Sequence, residues 1–278
     1  MNNILGPRNI GDIVGDTFRI YGRNFLRLLA IVAIVEVGLG ILGVVLTLWA
    51  IVPAIMGGGG IASLTPLIVI GIVLVAGSII GYPLMAGALI HAVSEQLFHQ
   101  PVSIGRAYRY AWGRIKALIG ATILVALVFV GMVAALILIG LAIIPATGGA
   151  GWVIMGLLAI VAIVAMVYLG IRWTFIWQAA LLEGCGPTAA LSRSSALVRG
   201  TWWRVFGIML VVYLIIVAIS IVLGMIPLIG GIIGGLLATP IGITASTLLY
   251  HDLRVRKEGY SLEALAGELQ IETDTDIT

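Results

Sequence analysis

The chain has 278 residues, of which 61% are hydrophobic and only 10% charged, and its mean hydropathy is +1.20. No water-soluble core of this size requires so many apolar residues, so the composition excludes a soluble globular domain and makes lipid part of the solvent. The net charge is a small +3, nothing points to nucleic acid as a partner, and the single Cys185 excludes an intrachain disulfide or a cysteine-cluster metal site and reads as a small apolar thiol.

The first residues, MNNILGPRNIGD, lack the basic region, apolar run and small-residue cleavage site of a secretory signal. The mature chain is therefore expected to begin near Met1, with targeting left to the first spanning helix. The first predicted element is a short amphipathic helix opened by Asn9. Ile10, Ile13, Val14, Phe18, Tyr21 and Phe25 share one face, and Asp12, Asp16, Arg19 and Arg23 the other, acids first and bases last as the helix dipole prefers. Hydrocarbon about 30 Å thick needs about 20 apolar residues in helix. Two such runs follow, at about 25–52 and 66–97. A second amphipathic segment opens at Ser103 and sets Ile104, Tyr108, Trp112 and Ile115 against Arg106, Arg109 and Lys116; apolar runs at about 117–145 and 153–182 come after it. A third and weaker amphipathic segment runs from Thr188 to Arg199, then apolar runs at about 205–227 and 233–251. The last run is short and interrupted by Gly and Pro, which leaves a re-entrant hairpin open there. Residues 259–278 read as a polar tail, with Glu272 to Thr278 disordered.

Unpaired backbone is not tolerated in lipid and none of these runs alternates like a barrel strand, so the fold class is all-α integral membrane with six transmembrane helices. The connections nearest Gly57–Gly60, Gly148–Gly151 and Gly230–Gly235 carry no charge, whereas the fifteen basic residues lie toward the opposite side, with Arg172 as the exception inside helix 4. The positive-inside rule then puts both termini in the cytoplasm and the chain in the inner, cytoplasmic membrane.

The six helices reduce to three similar units, about 9–98, 103–183 and 188–252, within a single membrane domain at 1–258. Each unit is an amphipathic helix followed by a helical hairpin. An aromatic-x-Arg triplet opens each odd helix, at Tyr21-Gly-Arg23, Trp112-Gly-Arg114 and Trp202-Trp-Arg204, and Pro53, Pro145 and Pro227 with their following glycines mark its outer end. Proline is expected to stop the helix there. The three amphipathic helices are expected to lie in the headgroup plane.

Three groups of residues carry candidate chemistry. Glu36 and Arg172 fall inside apolar runs at similar depth, where an ion pair is the simplest way to tolerate both; the pair reads as a register clamp or as an ion, proton or substrate site. His91, Glu95 and His99 share one helical face, weak candidates for a metal because three ligands on one helix span about 12 Å. Glu95, Glu183 and Asp252 each close an even helix, where a carboxylate opposes the dipole; Arg114, Arg204 and Arg254 are the expected interfacial partners. Zinc-protease, nucleophile-turn and phosphate-loop motifs are absent, so neither catalysis nor a cofactor is expected.

The stretch AALLEGCGPTAALSRSSALVRGTWWRVFGIML from Ala179, with LLYHDLRVRKEGYSLEAL from Leu248, resembles a large prokaryotic membrane family. That family is similar to the membrane domain fused to some glycerophosphoryl diester phosphodiesterases. The pieces that match are the Glu183-Gly turn, the Arg193-Ser-Ser-x-Leu-Val-x-Gly run with its aromatic-Arg end, and the Tyr-x-Asp-Leu-Arg-x-Arg-x-Glu-Gly exit from Tyr250. The N-terminal third matches only through the amphipathic helix and Asn24-Phe25. In that family the diesterase chemistry belongs to a separate soluble domain, for which this chain has no room, so the resemblance implies a stand-alone membrane module.

The expected function is a non-catalytic module that anchors, scaffolds or regulates a membrane enzyme or transporter partner, its basic face favouring anionic headgroups. The alternative is a transporter or lipid-handling protein with an intramembrane Glu36 and Arg172 site.

Overall fold

The computed structural model describes residues 9–56, 64–98, 100–226 and 230–259. Every regular element among them is helical, and no strand is formed. The order is α1 (Ile10–Arg23), α2 (Phe25–Met56), α3 (Leu64–Gln96), α4 (Ile104–Gly113), α5 (Ile115–Thr147), α6 (Gly149–Arg172), α7 (Ile176–Leu182), α8 (Pro187–Val198), α9 (Trp202–Gly224) and α10 (Gly230–Glu258). Six segments are long and apolar enough to cross a membrane: Phe25–Ala50, Pro66–Gln96, Ile115–Thr147, Gly149–Leu182, Trp202–Gly224 and Ile233–Glu258. The chain is a multi-pass all-α membrane protein. His99, Gly57–Gly60, Pro227 and the tail from residue 260 lie outside the described residues.

The last apolar run, read as the sixth span with a re-entrant hairpin left open, is one helix: α10 has 29 residues and carries Pro240 inside it. Two local expectations are corrected. Proline does not end α5: Pro145 lies within the helix, which continues to Thr147 and stops at Gly148 with φ 57°. The fixed φ of proline suits a helix and its ring removes a single hydrogen bond, whereas a left-handed glycine ends the ladder outright. The N-cap of α8 is Gly186 rather than Thr188, since Pro187 takes the first helical position, where its missing N–H costs nothing. Asn9 and Ser103 do occupy the caps of α1 and α4, and the Asn9 N–H donates to Asp12 Oδ2 at 2.8 Å.

The short helices α1, α4 and α8 gather at one end of the bundle, and the glycine connection at Gly148 stands at the other. Helix α10 is the centre: it packs on α9, α1, α2 and α3, and 61% of its most apolar stretch is buried. Helix α3 packs on α2, α4, α5, α7 and α10, while α6 touches chiefly α5, α8 and α9 and turns apolar side chains outward along its length. Close approach is paid for in side-chain size at Gly120, where a Cβ would meet Pro187 Cγ at 2.5 Å, so α8 lies directly on α5.

Exposed tryptophans mark both ends. Trp49 and Trp152 stand at the glycine end, and Trp112 and Trp203 at the end with the short helices, where Tyr168, Trp202 and Phe206 also stack. Along the continuous run from Trp152 to Trp173 the rise is about 32 Å, close to the hydrocarbon thickness. Tryptophan favours the membrane interface, and Trp173 with its neighbour Arg172 stands about one such thickness along the helix from Trp152.

Candidate functional site

The site lies where the C-terminal halves of α3 and α10 converge with α7 beside the short helices. Apolar positions bring them together: Leu89, Ile90, Val93, Leu181, Leu182, Ala245, Leu248 and Leu249 are buried in one continuous core. Into that core the same helices carry polar groups. His91, Ser94 and Glu95 come from α3, Gln178 from α7, and Thr244, Ser246, His251, Asp252 and Arg254 from α10, all buried. Ser94 Oγ and His251 Nε2 are hydrogen-bonded at 3.1 Å, and Gln178 Nε2 donates to Ser246 Oγ at 3.0 Å. His91 Nδ1 stands 3.8 Å from Glu95 Oε2, and the His91 ring lies against the Tyr110 ring of α4, centroids 4.3 Å apart and tilted by 38°. Gln178 Oε1 and Thr244 Oγ1 are buried without a hydrogen-bond partner among the described residues.

Around this centre run the ion pairs. Arg106 of α4 holds Glu95 at 2.7 Å. Glu183 is met by Arg193 of α8 at 2.6 Å, by Arg254 at 3.7 Å and by the Tyr250 hydroxyl, which donates to it. Arg193 also donates to Glu258 at 2.7 Å, and this bond, with Glu183 adding, raises the Arg193 pKa and holds the guanidinium charged. Asp252 takes Arg204 at 3.0 Å and Arg256 at 2.9 Å.

All six residues expected to form interfacial pairs therefore sit at this end, but with other partners. Glu95 is bound by Arg106 rather than Arg114, and Glu183 by Arg193 and Arg254 rather than Arg204. Helices α4 and α8 fold back over the ends of α3 and α7, which brings Arg106 to Glu95 and Arg193 to Glu183. The later arginine starts the next odd helix and reaches the end of its own hairpin: Arg204 reaches Asp252, and Arg114 lies against Gly184. In the first hairpin Asn24 does this work, donating to Gln96 Oε1 at 2.8 Å.

Glu36 and Arg172 are not brought together. Helix α2 packs on α3 and α10, whereas α6 packs on α5, α8 and α9. Similar depth in different neighbourhoods makes no pair. The Glu36 carboxylate faces α10, where Thr239 Oγ1 donates to Oε1 at 3.0 Å and a Cβ on Gly235 would stand 3.0 Å from Oε2. Among the described residues it has no cation. Arg172 instead closes α6 where the fourth span breaks, at Trp173–Phe175.

His91 and Glu95 do share a face, as their spacing requires, but no cluster of three potential metal ligands forms among the described residues, which do not include His99. Cys185 is half-buried, and its thiol pKa is raised by burial first and by Glu183 second, which keeps it protonated and poorly nucleophilic. Tyr108 donates to the Ile31 carbonyl at 2.6 Å across the α4–α2 contact, and burial pushes its pKa up to about 12.

Sequence reasoning missed Ser94, Gln178, Ser246, His251, Arg106 and Arg193 as members of the junction. A signal was present in the lone amide of Gln178 within an apolar run and in the hydroxyl-rich Thr244–Thr247 stretch of the last span. Comparison with protein-family models, with curated proteins and with solved structures gives no match to this chain.

Proposed function

We propose that this protein is a transporter or lipid-handling protein of the cytoplasmic membrane, moving polar or charged cargo past ionisable groups inside its bundle. The observation that carries the reading is the buried acid–base junction of α3, α7 and α10, with His91, Glu95, His251, Asp252 and Arg254 inside it. Taking ions out of water costs several kcal/mol each, and well-packed apolar side chains of similar volume often serve stability as well or better. A module that only anchored a partner has no need of such groups at its centre; ionisable groups inside a span mark pathways and relays. Glu36 supports the reading from a second place, being set in a span against a single hydroxyl donor from α10.

In this reading the chain is built of three parallel units, each an amphipathic helix in the cytoplasmic headgroup plane followed by a hairpin, with both termini cytoplasmic. It works without covalent chemistry in the residues of the bundle, and its C-terminal third is read as resembling the diesterase membrane domain. Scaffolding of a separate enzyme or transporter is the competing reading, and one experiment separates the two. Purified protein in liposomes is assayed for transbilayer movement of a fluorescent phospholipid and for proton flux, wild type beside Glu36→Gln and Glu95→Gln. The expected result is movement of one of these above empty liposomes, reduced at least tenfold by either substitution in protein that still elutes as a folded species. Wild type indistinguishable from empty liposomes in both assays sinks the reading and returns the scaffold.

A further inference from the structure

The break in the fourth span has a built geometry that the charge junction does not use. Ser194 of α8, fully buried, bridges it: its hydroxyl donates to the Arg172 carbonyl at 2.9 Å and accepts the Phe175 N–H at 3.1 Å. The break is thereby held open, and Arg172 and Trp173 turn into a cleft of about 360 Å³ between α6 and α8, lined also by Ser192, Ser195 and Arg199. On the other side of Trp173 a second, largely apolar groove of about 310 Å³ runs along α5, lined by Val125, Phe129, Ile176 and Trp177. Trp173 is the shared wall, edge-on to Phe129 at 6.2 Å.

The charge of the cleft decides what it binds. The C-terminal ends of α6 and α8 both point into this region, and each carries about half a negative charge, about one in total. Against that stand Arg172, Arg199 and Lys257, the last donating to the Arg199 carbonyl at 2.6 Å. The acid nearest Lys257, Glu258, is engaged by Arg193 and Arg254. Neither Arg172 nor Arg199 has a carboxylate partner among the described residues, so about two positive charges are left over beside two serine hydroxyls. Depth agrees, since Arg172 lies about 30 Å along the helix from Trp152, at the level of lipid phosphates.

We propose that this cleft binds the phosphate of an anionic membrane phospholipid. Arg172 and Arg199 take the phosphate oxygens, Ser192 and Ser195 hydrogen-bond the headgroup, and one acyl chain lies beyond Trp173 in the groove toward Phe129. Guanidinium suits a phosphate through two parallel N–H donors, and the apolar groove selects an esterified phosphate over a free one. The site does not involve Glu36 or the junction and stands apart from the transport reading.

The test is native mass spectrometry of the full chain in detergent, titrated separately with dioleoyl phosphatidylglycerol, dioleoyl phosphatidylcholine and inorganic phosphate. One phosphatidylglycerol is expected to be retained at least tenfold more tightly than phosphatidylcholine. Arg199→Gln, at an exposed position, and the Arg172→Gln/Arg199→Gln pair are expected to abolish that preference, and Arg109→Gln on α4 to leave it intact. Ala126→Trp, which fills the groove, is expected to weaken the lipid and spare any phosphate binding. Equal retention by wild type and Arg199→Gln overturns the site, and full competition by inorganic phosphate overturns the lipid assignment. Lost lipid binding with liposome flux intact leaves the transport reading standing, and the reverse result leaves this site standing.

Discussion

At the scale of the residue, the junction's energetics are asymmetric. The Glu95 side chain is 2% exposed and its partner Arg106 is about half exposed, so the two halves of this pair do not cost the same to remove. Arg106→Ala leaves a buried carboxylate without its cation and is expected to lower stability by about 3 kcal/mol. Glu95→Gln releases Arg106 to solvent and is expected to cost clearly less. Adding Glu95→Gln to Arg106→Ala is expected to recover part of the loss. Denaturation of the purified protein in detergent checks all three, and losses that simply add would contradict the coupling. The carboxylates were legible in sequence because Glu95, Glu183 and Asp252 are the acids that close the even helices. Their partners were not. Arg106, Arg114, Arg193 and Arg204 all lie within sequence reach, and only the way α4 and α8 fold back decides which arrives.

At the scale of the element, long unbroken apolar runs made every span readable, since a helix is the one structure that pairs its own backbone in lipid. What the runs hid was the break between α6 and α7. The Gly149–Leu182 segment is 34 residues, well beyond the roughly 20 that cross hydrocarbon, and the pair Arg172-Trp173 stands inside it, short of its end. Excess length with an Arg-Trp pair inside the run is the signal that the helix breaks early and the chain continues into a packed turn. The break depends on Ser194. Ser194→Ala removes the acceptor of the Phe175 N–H and the donor to the Arg172 carbonyl, and is expected to cost about 1–3 kcal/mol. Hydrogen exchange should show the Phe175 amide losing protection while amides in the middle of α5 stay protected. Unchanged protection at Phe175 would mean that α8 does not hold the break.

At the scale of the whole molecule, the sequence reading placed Glu36 and Arg172 at matching depths and paired them. Depth along a helix is a property of one segment, while pairing is a property of which helices are neighbours, and hydropathy carries no information on neighbours. The assembled bundle separates the two residues into two places. Glu36 is inside a span against the small-residue face of the central α10, and Arg172 lies at the end of α6 beside α8. The central position of α10 was also hidden, its glycines and proline having left a hairpin open there; among its residues the glycines and hydroxyls have another use. Those residues instead let α2 and α9 approach closely and supply the polar groups of the junction.

The central claim is that polar cargo reaches ionisable groups inside this bundle, and its most direct test is water access at Glu36. Cys185→Ser provides a cysteine-free background in which Glu36→Cys and Val37→Cys are compared for reaction with a charged, membrane-impermeant thiol reagent in intact membranes. Val37 faces outward on the same helix and serves as the lipid-facing control. The account predicts that Glu36→Cys reacts from the side bearing the short helices while Val37→Cys stays inert. If Glu36→Cys is as inert as Val37→Cys until the protein is unfolded, the carboxylate is a sealed structural contact and the transport account fails.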